Sequence, residues 1–89
     1  MNDKQREILV ITQEECAEVI QEISKIFRFG INQLHKDGMP HQLKLEMEIG
    51  DLICMINLLT EYGVVTQQGI NQSVQAKEIK LKKWSKIYD

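Results

Sequence analysis

The chain has 89 residues, enough for one small domain with a modest core. Hydrophobic residues are 43% and charged residues 27%, the balance of a soluble globular protein, and no apolar run nears the ~20 residues that span a bilayer. Eleven basic groups against thirteen acidic ones leave a net charge of −2, which argues against the basic footprint of a nucleic-acid binder.

The charge is unevenly spread. Residues 1–76 carry six basic and eleven acidic groups, net −5, and residues 77–89 carry five and two, net +3. An acidic body with a basic tail suits a metal-bound anionic ligand, or is simply a helix whose end is solvated by lysines. The N-terminal Met1–Glu7 is polar, without the apolar stretch of a signal peptide, so the chain reads as cytoplasmic. Cys16 and Cys54 lie far apart in helical patterns and are expected to be reduced core thiols. His35 and His41 show no metal-ligand spacing with them.

The first helix is expected over roughly residues 4–29. Cys16, Ile20, Ile23 and Phe27 recur at helical steps, nothing breaks the run, and Gly30 is placed to end it. Residues 30–40, with Asn32, Asp37-Gly38 and Pro40, read as a loop with a helical turn near Ile31 to His35. The second helix is expected at about 41–61, with an apolar face of Leu45, Ile49, Leu52, Ile56 and Leu59 and with Gly63 as its cap. Thr66 can cap a third helix over about 67–86, whose weaker stripe is Ile70, Val74, Leu81 and Trp84. Four of the five glycines, 30, 38, 63 and 69, fall at expected breaks; Gly50 does not. The fold class is therefore all-α, a small antiparallel helical bundle completed by oligomerisation.

The acids are the informative feature. A helix turns about 100° per residue, so Glu15, Glu18 and Glu22 lie within about 60° of each other, in one sector with Ile8, Ile11, Val19 and Ile26. Glu48 and Asp51 repeat the i, i+3 spacing on the second helix beside Leu52, Met55 and Leu59, while Glu46 points the other way. Buried charge costs several kcal/mol unless compensated. Lys25 and Lys44 stand only at the margins, so a divalent cation is the better partner, and hard oxygen donors favour Mg²⁺ or Mn²⁺ over zinc. No histidine stands at i+3, so the di-iron Glu-x-x-His signature is missing. Either acid pair alone would be ordinary solvated surface. Two pairs on successive apolar faces are harder to explain that way.

These residues carry a resemblance. Glu15-Cys16-Ala17-Glu18, preceded by Glu14, matches E-x-x-E, and Glu48-Ile49-Gly50-Asp51 matches E-x-x-D. The chain resembles the MazG-like all-α nucleoside triphosphate pyrophosphohydrolase superfamily. With Ser24-Lys25 and Arg28-Phe29-Gly30 following, and the lysine-rich Lys77–Tyr88 stretch, it is similar to short phage-encoded members. The 29 residues between the motifs are at the long end for that family and suggest an extended loop. The resemblance covers most of the chain and implies a single MazG-like domain over residues 1–89. It further implies Mg²⁺-dependent hydrolysis of a nucleoside triphosphate to the monophosphate and pyrophosphate, in a homodimer or homotetramer, located in the host cytoplasm if the gene is a phage's. By motif match Glu15, Glu18, Glu48 and Asp51 would be metal ligands, and Gly50 would let helices approach closely beside Asp51. Glu22 is the candidate for orienting or deprotonating water. Lys25, Arg28, Lys77 and Lys80 are candidates for neutralising the phosphates, each equally readable as surface. The chain has no glycine-rich GxxxxGK[ST] loop, so attack at the α-phosphorus is expected over γ-phosphoryl transfer. The competing expectation is a non-catalytic helical homodimer acting as an interaction or nucleotide-sensing module.

Overall fold

A computed structural model describes all of residues 1–89 as three helices and no strand: α1 (Asp3–Phe29), α2 (His41–Glu61) and α3 (Gln67–Trp84). All three expected helices form, with ends shifted by two residues at most. No helix is long and apolar enough to cross a membrane.

Each start has a local cause. Asn2 caps α1: its Oδ1 accepts from the Gln5 backbone N–H at 2.8 Å, and Gln5 Oε1 accepts from the Asn2 N–H at 3.0 Å, a reciprocal capping box. Pro40 precedes α2 with no side-chain cap. Thr66 Oγ1 caps α3 by accepting from the Gly69 N–H at 3.0 Å. Gly69 thus lies inside the first turn of α3 rather than in a break. A Cβ there would stand 2.9 Å from the Thr66 hydroxyl, so its absence makes room for the cap.

The expected helical turn at residues 31–35 does not form. The loop is a small hairpin closed by an antiparallel bridge between Leu34 and Pro40. Its backbone pairs across the turn, with the His35 N–H donating to Met39 O at 2.6 Å and the His41 N–H to Gln33 O at 3.1 Å. Backbone partners at this separation outcompete a single helical turn, which fixes several dihedrals for one hydrogen bond.

α1 and α2 pack antiparallel. Gln5 Nε2 donates to Tyr62 O at 2.9 Å, tying the start of α1 to the end of α2. The buried core between them is small: Ile8, Met55 and Leu59, flanked by Leu9, Ile11, Leu58 and Val64. α3 leaves through a short link and does not pack along the pair; none of its residues is buried. The molecule is one helix layer thick, 41 × 36 × 14 Å, with a radius of gyration of 15.9 Å where a compact chain of this length has about 12 Å.

The layer has two unlike sides. The α1 sector of Glu15, Glu22 and Ile8 faces α2. Rotating one way from that contact brings Glu18 and, on α2, Asp51 to the open side. Rotating the other way brings Cys16, Ile20, Ile23 and Phe27 of α1 and Ile49 and Ile53 of α2 to the reverse side. That corrects three sequence expectations. The apolar stripe of α1 is solvent-exposed, with Phe27 at 85% and Ile20 at 64%, because the mixed acid–aliphatic face takes the contact with α2. Ile49 is exposed for the same reason. Cys16 and Cys54 are exposed free thiols, not core.

Gly50 is a fourth correction. A Cβ there would meet nothing within 4 Å, so no close helix approach within the chain requires it. Gly50→Ala should raise stability by about 0.5–1 kcal/mol, the usual gain at an exposed helix interior, read as a higher thermal midpoint.

Candidate metal centre

The antiparallel register brings the two acidic motifs together at the middle of the helix pair. Carboxylate oxygens of Glu15, Glu48 and Asp51 lie within 4.8 Å of one another. Glu15 Oε2 is buried and has no hydrogen-bond partner. None of the chain's ion pairs involves these three residues: Lys25 is held by Glu22 at 3.1 Å, and Lys44 by Asp37 at 2.6 Å. The nearby bases are therefore spent elsewhere, and the acidic trio lacks a counter-charge.

Glu48 feels this most. Burial raises its carboxyl above the ordinary carboxylate range, and Asp51, Glu18, Glu15 and Glu22 push it further in the same direction. Glu18 is exposed and stands outside the tight trio, yet acts on Glu48 as one of these charges. Because the folded-state pKa is raised, Glu48 favours the fold when protonated, and that contribution is lost as pH rises through its folded pKa. In metal-free protein, Glu48→Gln should therefore melt above wild type at neutral pH. The gap should close as pH falls through the carboxylate range, as two parallel series of melts would show.

The donor set fits Mg²⁺. All three groups offer hard carboxylate oxygens, and one is a buried orphan. Glu15, Glu48 and Asp51 would hold such an ion through these oxygens, and the bound cation would supply the counter-charge that the protein does not. No family model, no curated protein and no solved structure matches the chain. The reading of this centre therefore stands on its own geometry.

A second constellation lies at the far end of the pair, and sequence reasoning missed it. Glu22 and His41 are 5% and 3% exposed. Glu22 Oε1 accepts from Lys25 Nζ at 3.1 Å, while Oε2 has no hydrogen-bond partner and sits 3.9 Å from His41 Nδ1. Lys25 Nζ also lies 3.4 Å from His35 Nε2. Phe29 stacks on the His41 ring with centroids 5.9 Å apart, and His35 meets it edge-on at 5.6 Å. Lys25, Phe29, His35 and His41 border a recess of 450 Å³ that Gln33 and Lys36 also line. His41 could have been found, since it follows Pro40 at the start of α2 and falls in the Glu48 sector of the wheel. His35 could not, because the hairpin places it.

The hairpin is fastened to α2 at its tip. Lys44 donates to Asp37, which holds the Asp37 carboxyl below its ordinary range, helped by the Met39 N–H, and holds the Lys44 ammonium above its own. Of the remaining candidate cations, Arg28 is exposed with its guanidinium 4.9 Å over the Phe29 ring. Lys77 and Lys80 are exposed on α3, which stands apart from the pair.

Proposed function

We propose that this chain is a Mg²⁺-dependent nucleoside triphosphate pyrophosphohydrolase of the MazG-like kind, with Mn²⁺ as the alternative ion, cleaving between the α- and β-phosphates. The observation that carries it is the convergence of Glu15, Glu48 and Asp51, from two separate motifs, into one trio without a protein counter-charge. A triphosphate brings roughly four negative charges, so an acidic centre can accept it only with cations present. When bound, the metal supplies charge neutralisation at the phosphate oxygens and lowers the pKa of water.

The chain's own groups divide the remaining work. Glu15, Glu48 and Asp51 hold the ion, and Glu18 at the open side completes the acidic set toward solvent. Glu22, on the same face of α1 as Glu15, is the candidate carboxylate for taking a proton from the attacking water, with Lys25 Nζ donating to its Oε1 and its Oε2 buried beside His41. Lys25 and Arg28, near the recess, neutralise phosphate charge, as do Lys77 and Lys80 once α3 is brought to a site. Self-association, as a homodimer or homotetramer, belongs to the same reading and is supported by the exposed apolar residues.

A second reading, a non-catalytic helical homodimer or nucleotide sensor, is favoured by that same apolar exposure. Turnover separates the two. The enzyme should release pyrophosphate from at least one member of a panel of canonical and modified NTPs and dNTPs with Mg²⁺, and stop on chelation. Pyrophosphate from none of them would leave the sensor reading.

A further inference from the structure

The His41 end of the helix pair holds most of the chain's unsatisfied buried polarity. Four buried side-chain polar atoms lack a hydrogen-bond partner, and three of them, Glu22 Oε2, His35 Nδ1 and His41 Nδ1, belong to this one constellation. Glu22 and His41 are 5% and 3% exposed, and Glu22 Oε2 stands 3.9 Å from His41 Nδ1. Buried polar atoms are costly without a partner, and native structures fill such places with water or an ion.

The donor chemistry selects the occupant. A gap of 3.9 Å is too wide for a hydrogen bond between the two groups. Zn²⁺ bonds imidazole nitrogen at about 2.0 Å and carboxylate oxygen at about 2.1 Å, so one ion spans it. Lys25 Nζ donates to the other oxygen, Oε1, at 3.1 Å, which orients the carboxylate and leaves Oε2 as the free donor. His35, edge-on to His41 with ring centroids 5.6 Å apart, is the only other imidazole in the chain. His41 borders the 450 Å³ recess, through which water and an ion reach the pair. Imidazole with carboxylate suits Zn²⁺ rather than Mg²⁺, the reverse of the all-oxygen trio.

We infer that this is a second cation site, of transition-metal character: Zn²⁺ held by Glu22 Oε2 and His41 Nδ1, with His35 as third ligand and water from the recess as fourth. The ion ties α1, the hairpin and the start of α2 together at one point. A small chain with only three buried apolar residues gains much from such a staple. The site stands apart from the acidic trio, since Glu22 lies about 10 Å along α1 from Glu15. It shares only Glu22 with the proposed activity, and binding is measured without turnover, so either can fail alone.

The test titrates the full chain with Zn²⁺ in excess Mg²⁺, supplied to occupy the acidic trio. Zn²⁺ should still bind, and at a free concentration about a hundredfold above its Kd it should raise the thermal midpoint by about 10 °C. X-ray absorption at the zinc edge should show imidazole scattering, which can come only from His35 and His41. Glu22→Gln and His41→Gln should each weaken Zn²⁺ binding by at least about 100-fold, and His35→Ala by about tenfold. Glu48→Gln, in the distant trio, should leave it within about twofold. If His41→Gln fails to fold, the wild-type absorption spectrum still decides. Absence of Zn²⁺ binding in excess Mg²⁺ would overturn the inference. So would a zinc shell of oxygen alone, as from the trio, or one of sulfur from the exposed Cys16 or Cys54. Wild-type affinity in His41→Gln would overturn it equally.

Discussion

Glu48→Gln and Asp51→Asn should each abolish turnover, by on the order of 10³-fold or more, while leaving the helices intact. Both changes keep the side-chain shape and remove one charge from the trio proposed to hold the metal. Mg²⁺ or Mn²⁺ should raise the thermal midpoint of the wild type, and the two variants should lose that rise. Without metal the sign reverses: the variants should melt higher, because Glu48 is partly buried among like charges and loses that repulsion. Glu46→Gln is the control. Glu46 is exposed and accepts only from Gln42 Nε2 at 3.2 Å, so its loss should be nearly silent. Full activity in Glu48→Gln or Asp51→Asn would place the chemistry elsewhere.

Leu59→Ala should cost about 2–4 kcal/mol, a large share of the stability of so small a domain, and lower its denaturation midpoint sharply. The loss is large because Leu59 is one of only three buried apolar residues holding α1 to α2. Small domains have about 5–15 kcal/mol in all, and one this thin sits at the low end. Ile79→Ala, on a 69% exposed side chain of α3, should change stability by less than about 0.5 kcal/mol. The two variants can be compared by helicity at 222 nm during chemical denaturation. Equal midpoints would mean that α1–α2 packing is not what holds the fold.

Much of this was legible in the residues. Helix limits followed from apolar periodicity, from Thr66 as a cap, and from Gly30 and Gly63, both of which take positive φ at helix ends. Of the four acids expected to converge, Glu15, Glu48 and Asp51 do so, because i, i+3 spacing fixes which acids share a sector and antiparallel packing brings Glu15 opposite Glu48, whereas Glu18 stays exposed outside the trio. Periodicity says which residues share a face but not which face meets which. The purely apolar stripe of α1 therefore looked like the core, whereas the mixed face took that contact and left Phe27 and Cys16 outside. The hairpin at residues 31–41 depends on backbone pairs across the turn that side-chain pattern does not encode. With it went the Glu22–His41–His35 constellation, which needs the hairpin to carry His35 back over α1.

The most direct test of the proposed chemistry follows oxygen. Hydrolysis of a nucleoside triphosphate in ¹⁸O-labelled water with Mg²⁺, read by mass spectrometry, should place the label in the nucleoside monophosphate, with unlabelled pyrophosphate as co-product. Label in orthophosphate, with nucleoside diphosphate beside it, would contradict attack at the α-phosphorus even if Glu15, Glu48 and Asp51 bind the metal.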